Sequence, residues 1–432
     1  MNPIAGGPVH GIRNTTPELA HRGWSSEAVT LDAPHEPWIH DSGLIIHALG
    51  PCSSPLRFAP TMLPWMERHL QEFDAVIIHG LWLWPSIATW IATRSLGTKA
   101  KRLAISSDSS LALSPVSRLP APTPPYFVMP HGMLDPWFQR DKSRRWKALR
   151  NSLYWHLIEK KVIRDASGIL FTCEQELQLA RSSFGDYRPR REINVGYGVS
   201  HPPAHSDAMD RAFQETCPHL AKGQPYLLYL GRIHPKKGVD LLIRAYAKVF
   251  GNRPKGEGNR VEGSEKGAGP TFRFPAPNSH PLALVIAGPG LDTSYGVEIR
   301  RVVHESRCGD LIHFPGMLTG NAKWGAFFGC DAFVLGSHQE NFGMAVAEAL
   351  SCGKPVLISN QVNICTEVET SGAGYVKPDT LDGMAELLRE WKMTPITAQR
   401  RMESSAHQLF KTKLHVEAAA ENLVSALEMP AP

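Results

Sequence analysis

Several features are missing from these 432 residues, and each absence narrows what the chain can be. The seven cysteines are odd in number and scattered, without a Cys-x-x-Cys pair or other metal-ligand spacing. They read as small buried residues of a reducing compartment rather than as a zinc centre. No run of about 18 apolar residues occurs, so no membrane-spanning helix is expected. The start lacks the charged-then-apolar pattern of a secretory signal, and a cytoplasmic protein is the expectation. A strong charge excess is missing too: 46 Lys and Arg stand against 41 Asp and Glu, for a net +5. That balance permits attraction to phosphates or an anionic membrane surface. It is too diffuse to argue for nucleic acid.

What is present is length and alternation. The chain exceeds what one core usually holds, so two domains of about 200 residues each are expected. Apolar strands alternate with helical segments, the pattern of a parallel α/β sheet. In the first half the strands are EAVTL, LIIHALG (44–50), AVIIHG (75–80), YFVM, SGILFTC (167–173) and EINVG. In the second they are YLLYLG, LALVIAG, LIHFPG (311–316), AFVLG, PVLIS (355–359) and AGYV (373–376). A helix near Gly11–Arg22 follows a glycine-rich start, and Gly6-Gly7 there could admit close backbone approach to a ligand. A buried strand would ordinarily precede such a loop. Either the chain starts downstream of its natural beginning or the sheet lacks a strand here. Residues 97–124 read as an irregular insertion and 252–281 as a disordered one.

Candidate chemistry gathers at strand ends, where open α/β sheets bind ligands. His79 ends its strand, although a buried structural histidine is the expected reading. Pro130-His131-Gly132 ends the next strand, with Asp135 and Trp137 close behind, and His131 could hydrogen-bond or shuttle a proton. The segment FQRDKSRRWKALRNSLYWHLIEKKVI has a basic helical face with aromatics. It reads either as a solvated face or as contact with an anionic membrane or lipid-diphosphate acceptor.

The chain's centre of organisation is DAFVLGSHQENFGMAVAEALSCGKPV, residues 331–356. A strand passes through a polar turn into a small-residue helix, with Glu340 in the turn and Glu348 within the helix. Phe342, Gly343 and Met344 lie at the helix start, where first-turn amides and the helix dipole favour an anion. Upstream, Arg232 follows a strand while Lys236 and Lys237 precede a helix, a placement that suits a phosphate. Eight residues of helix would separate the two glutamates by roughly 12 Å at ~1.5 Å per residue. Glycosidase carboxylates stand about 5–9.5 Å apart, so this pair suits sugar hydroxyls better than acid–base hydrolysis.

Together, GRIHPKKG and the later ENFGMAVAE resemble the donor-site signature of retaining glycosyltransferases of family 4. IIHGLW, PHGMLDPW and GAGYV are similar to a bacterial branch that builds exopolysaccharide or lipid-linked glycans. The resemblance covers nearly the whole chain. It implies the GT-B fold: two Rossmann-like, doubly wound parallel-sheet domains facing a cleft. Residues 1–200 would form the acceptor-side domain and 201–406 the donor-nucleotide domain, with 407–432 a helix crossing back to the first. Arg232 and Lys237 would bind the donor diphosphate and stabilise the leaving nucleotide. Glu340 would hold donor-sugar hydroxyls and Glu348 the ribose. Phe342, Gly343 and Met344 would offer backbone N–H groups, Gly7 would approach the donor from the first domain, and His131 would lie near the transferred sugar.

Cations and helix dipoles handle the leaving group in this scheme, so no metal or cofactor is implied, and no Asp-x-Asp motif points to one. The partners implied are a nucleotide diphosphate sugar and a glycan or lipid-linked acceptor, with peripheral contact at the membrane's inner face. A nucleotide-sugar 2-epimerase on the same fold and a non-catalytic nucleotide-sugar-binding protein are the alternative readings.

Overall fold

The computed structural model describes residues 1–2, 6–40, 43–52, 54, 56–107, 123–140, 145–251 and 280–429. The expected insertion at 252–281 therefore lies almost wholly outside the described residues, as do 108–122 of the earlier one. The chain divides into two compact units. One comprises Met1–Ser200 with Lys413–Pro432, the other His201–Thr412.

In the first unit β1 (Glu27–Thr30) and β2 (Ile45–Ala48) form a parallel pair. A separate four-stranded parallel sheet has the order β3 (Val76–His79), β4 (Tyr126–Met129), β5 (Gly168–Phe171), β6 (Glu192–Asn194). Strand β4 shows why this sheet is covered on both faces. Tyr126 and Val128 enter a cluster with Ile169, Phe171 and Trp155, whereas Phe127 and Met129 enter another with Leu170, Leu19 and Leu423. Successive side chains alternate faces, so a strand of unbroken hydrophobics needs helices on each side. Leu423 belongs to the helix Val416–Glu428 and Leu19 to the helix Gly7–His21, and both helices cover the second face.

The strand expected ahead of the glycine loop has no counterpart among the described residues. Strands β1 and β3 each end their sheet, and an apolar cavity of about 340 Å³ is lined by residues of both.

The second unit carries one six-stranded parallel sheet. Its strands are β7 (Tyr226–Leu230), β8 (Ala283–Ala287), β9 (Ile312–Gly316), β10 (Ala332–Leu335), β11 (Val356–Ser359) and β12 (Gly374–Lys377). The spatial order is β12-β11-β10-β7-β8-β9. The chain winds outward in one direction from β7 and then in the other from β10. Order reverses between these two neighbours, and their carboxyl ends open the crevice where such sheets take ligands. The helix Val239–Phe250 shows the packing logic: Val239, Leu242, Ile243 and Tyr246 are all buried, one stripe at helical spacing.

Four local expectations change. The helix Trp84–Ser107 runs through 97–107, where an irregular segment was expected. Its Ala, Leu, Lys and Arg favour helix, and the Ser- and Pro-rich character comes later. The C-terminal helix does not run unbroken from 407. A helix Ile396–Leu409 and a wider turn at Phe410–Leu414 precede Val416–Glu428. Between them His415 pairs with Val199 in an isolated parallel bridge, which pulls its backbone out of helical conformation. Asp207–Thr216 and Cys365–Ser371 are helices that the periodicity did not reveal. The first has Ser206 at its N-cap position and Asp207 and Asp210 in its first turn, the usual start signals.

Candidate active site

In the second unit, two turns meet at the reversal point. Leaving β7, the chain passes Gly231 and Arg232 into a tight turn, Pro235–Lys237, before the helix at Val239. The His234 ring accepts the Lys236 N–H at 3.1 Å and caps that turn. Leaving β10, it passes Ser337–Asn341 and enters the helix Met344–Ser351 through Gly343, at φ +80°. The His338 N–H donates to the Lys236 carbonyl at 2.9 Å, stitching one turn to the other. His338 Nδ1 lies 2.9 Å from an Asp379 carboxylate oxygen.

The side chains follow the same geometry. The Lys237 ammonium donates to Glu340 Oε2, an ion pair less than a fifth exposed on each side. Burial first, then neighbouring Lys236 and Arg232, push the Lys237 ammonium down to about 7. The Glu340 carboxylate opposes that shift, since an adjacent anion favours the charged form. Glu340 is itself fixed by its backbone, which donates to the Gln361 carbonyl at 2.9 Å and accepts from Asn363 at 3.0 Å. Arg232 is exposed beside this pair. One cation is thus preorganised and the other reaches solvent.

Glu348 lies on the helix Met344–Ser351 and accepts a hydrogen bond from Lys323 Nζ at 2.7 Å. Lys323, on the helix Gly320–Gly329, also stands 4.6 Å from the Trp324 ring centre. Sequence reading missed Lys323, because a lone lysine in a short helix carries no pattern. The Gly343 carbonyl takes up the Val346 and Ala347 N–H groups. Among the described residues no protein acceptor serves the Gly343, Met344 or Ala345 N–H groups, which leaves these first-turn donors for a ligand. Phe342 is buried.

The glycine turn after β8 has a plain structural reason. A Cβ on Gly288 (φ +138°) would fall 1.9 Å from the Gly231 carbonyl oxygen, and one on Gly290 (φ +119°) 2.4 Å from that of Ile233. The Ile233 N–H donates to the Pro289 carbonyl at 2.8 Å. Glycine lets this turn back the Arg232 loop.

In the first unit, His79 ends β3 and His131 lies in the turn that follows the adjacent β4, and His79 Nδ1 lies 2.9 Å from His131 Nε2. The expectation of a buried His79 does not hold: its ring is accessible from the cavity beside β3. Dense protein around it still pushes its pKa down to about 4, and burial and His79 push His131 well below its ordinary value. Both rings are therefore neutral near pH 7, one donating and the other accepting. His131 adopts φ +51°, and the next residue is pinned: the Gly132 N–H donates to buried Glu176, whose other oxygen accepts from the Thr172 N–H and hydroxyl. The Asp135 carboxylate accepts from the Trp137 N–H at 2.8 Å and caps the following turn. Gly7 begins its helix, and its carbonyl accepts from the Tyr197 hydroxyl at 2.6 Å. The left-handed residue in that loop is Gly6 (φ +87°), whereas a Cβ on Gly7 would meet nothing within 4 Å. Sequence reading missed Glu176 and Tyr197, which are far from the motifs they support.

The turn after β3 is held by Glu159, fully buried, which accepts from the Trp82 N–H at 2.8 Å and the Ser86 hydroxyl at 2.7 Å. Burial raises its pKa from 4.5 to about 7, only partly opposed by those two bonds. The folded state therefore binds this proton more readily than the unfolded chain, and the contribution is lost as pH rises from 4.5 through 7. A Glu159→Gln variant cannot titrate. Its stability relative to wild type should rise between pH 5 and pH 8 by on the order of 3 kcal/mol, read from urea midpoints. A gap that stays constant with pH would show that Glu159 does not titrate there.

A doubly wound parallel sheet with cations after its first strand, a carboxylate after its fourth and open helix amides beside them is a Rossmann-like unit with an anion site where its strand order reverses. Known proteins agree. A family model described as glycosyl transferases group 1 matches residues 211–408, and one described as a glycosyl transferase 4-like domain matches 6–198. The chain belongs to this family of glycosyltransferases. A D-inositol 3-phosphate glycosyltransferase of Thermomonospora curvata is 29% identical over 153 residues, 35% of this chain and 30% of that protein. One of Catenulispora acidiphila is 26% identical over 220 residues, 50% of this chain and 45% of that protein. The chain thus spans less than half the length of these curated relatives. Among solved structures, a sucrose-phosphate synthase of Thermosynechococcus elongatus superposes with TM-score 0.63 at 18% identity, covering 97% of this chain and 92% of that one. Anabaena HepE in complex with UDP-glucose gives 0.63 at 15% identity, over 98% and 95%. At such identities the likeness speaks for the fold alone.

Proposed function

We propose that the protein transfers a sugar, with retention at the anomeric carbon, from a nucleotide diphosphate sugar to a glycan or lipid-linked acceptor. The observation that carries this reading is the Lys237–Glu340 pair, set where strand order reverses and next to first-turn amides without protein acceptors. In this reading the donor diphosphate takes over Lys237 and Arg232 as counter-ions. Lys237 is released from Glu340, and Glu340 turns to the sugar hydroxyls. As the bond from sugar to diphosphate lengthens, negative charge grows on the leaving nucleotide, and fixed cations and N–H groups stabilise it without reorganising. Glu348, oriented by Lys323, receives the ribose hydroxyls. His131, kept neutral by burial first and by His79 second, is an uncharged hydrogen-bonding group of the first unit.

Thermal-shift titration of the chain with UDP-, GDP- and ADP-sugars tests donor binding. A shift of the melting point by one of them, and donor hydrolysis or transfer by wild type but not by Glu340→Ala, is the expected result. The UDP-sugars head that screen because a structure of this fold holds UDP-glucose. If none of the three nucleotides moves the melting point, the reading fails.

A further inference from the structure

One long helix of the first unit buries one side and leaves the other apolar in solvent. It runs as α-helix over Arg145–Tyr154, widens at Trp155–Glu159 and continues as Lys160–Asp165. The inner side is anchored by Trp155, stacked on Phe184 with ring centres 4.2 Å apart, and by Glu159, Val162 and Ile163. The outer side presents Trp146, Leu149, Leu153 and Leu157, which are 84%, 63%, 61% and 58% exposed. Spacings of three, four and four residues put these side chains on one stripe of the helix. It extends over roughly 16 Å at ~1.5 Å per residue. Scattered exposed leucines are ordinary on any protein surface, but a tryptophan and three leucines in register along one helix are not.

Charge identifies what covers the stripe. Lys147, Arg150, Lys161 and Arg164 are exposed along the same helix. Its two described carboxylates are withdrawn: Glu159 is buried, and Asp165 is held by Arg94 and Arg164. An apolar stripe with tryptophan, flanked by cations and free of exposed acids, matches a helix lying in the plane of an anionic bilayer. Protein interfaces, in contrast, are depleted in lysine. We propose that this face docks on an anionic lipid bilayer, with Trp146, Leu149, Leu153 and Leu157 at the acyl boundary and the cations at the lipid phosphates. The inference goes beyond sugar transfer and does not depend on it, since donor binding in the other unit is measured separately.

The experiment is co-sedimentation of the full chain with phosphatidylglycerol-containing vesicles and with pure phosphatidylcholine vesicles, at low and at about 0.15 M salt. Binding to the anionic vesicles that weakens with salt is expected. A Leu149→Glu/Leu153→Glu variant should bind at least about tenfold more weakly, and Lys147→Glu or Arg150→Glu about fivefold or more each. Circular dichroism and melting point should not change, because these side chains touch solvent and not the core. Equal affinity for both vesicle types, no vesicle binding, or binding indifferent to the double leucine variant overturns the proposal. So does a solution dimer, seen by sedimentation velocity, that the double variant dissolves without any vesicle binding.

Discussion

A Lys237→Met variant should lose donor turnover by about 10²–10³-fold, the scale of removing one preorganised stabiliser of developing charge. Lys237 is held where the strand order reverses by its pair with Glu340, whose backbone makes two hydrogen bonds. The substitution should also lower stability by about 1–3 kcal/mol, because a largely buried carboxylate is left without its counter-ion. The pH profile offers a second readout. With the Lys237 ammonium pushed down to about 7, free enzyme loses this cation as pH rises above neutrality, and kcat/KM for the donor should fall on the alkaline side. Lys237→Arg stays charged throughout that range. It should keep part of the activity and remove the alkaline fall. Turnover by Lys237→Met within tenfold of wild type would remove the lysine from the chemistry.

Much of the second unit was legible because its signals are local. Strands of five apolar residues ending in glycine, Arg232 and Lys237 before a helix, and Glu340 ahead of a small-residue helix are contiguous patterns with direct physical meaning. What joins them is not contiguous. The Lys237–Glu340 pair links residues 103 positions apart, and Lys323 reaches Glu348 from another helix. Only the strand order, unreadable from periodicity, brings them together. The first unit was harder for the same reason. His131 stood out at its strand end, but its conformation depends on Glu176, and its protonation on burial first and His79 second. The expected burial of His79 failed because the sheet is interrupted beside β3, which opens a cavity where a continuous sheet would enclose the ring. The C-terminal helix was drawn too long because helix formers surround His415, and a long-range bridge to Val199 outweighs local propensity there.

Gly238→Ala should be the most damaging change to the site that touches no charge. Gly238 adopts φ +61°, and an added Cβ would fall 2.2 Å from the Gly336 carbonyl oxygen, a backbone atom that cannot swing aside. A non-glycine residue in this conformation costs about 1–2 kcal/mol by itself. Relieving the contact means moving the turn after β7 away from the turn after β10, which breaks the His338-to-Lys236 backbone bond. A total near 3 kcal/mol follows, or about 6–12 °C in melting temperature for a unit of this size. The displacement has a functional consequence that lost stability alone would not produce. Lys237 precedes Gly238 and moves with it, while the amides at the start of Met344–Ser351 stay with β10. Even at temperatures where the variant is fully folded, donor affinity should drop more than about tenfold, one decade per ~1.4 kcal/mol. Gly7→Ala serves as the comparison: it meets nothing within 4 Å and should melt within about 0.5 kcal/mol of wild type. If Gly238→Ala binds nucleotide sugars as wild type does while melting lower, the spacing of the two turns does not set donor affinity.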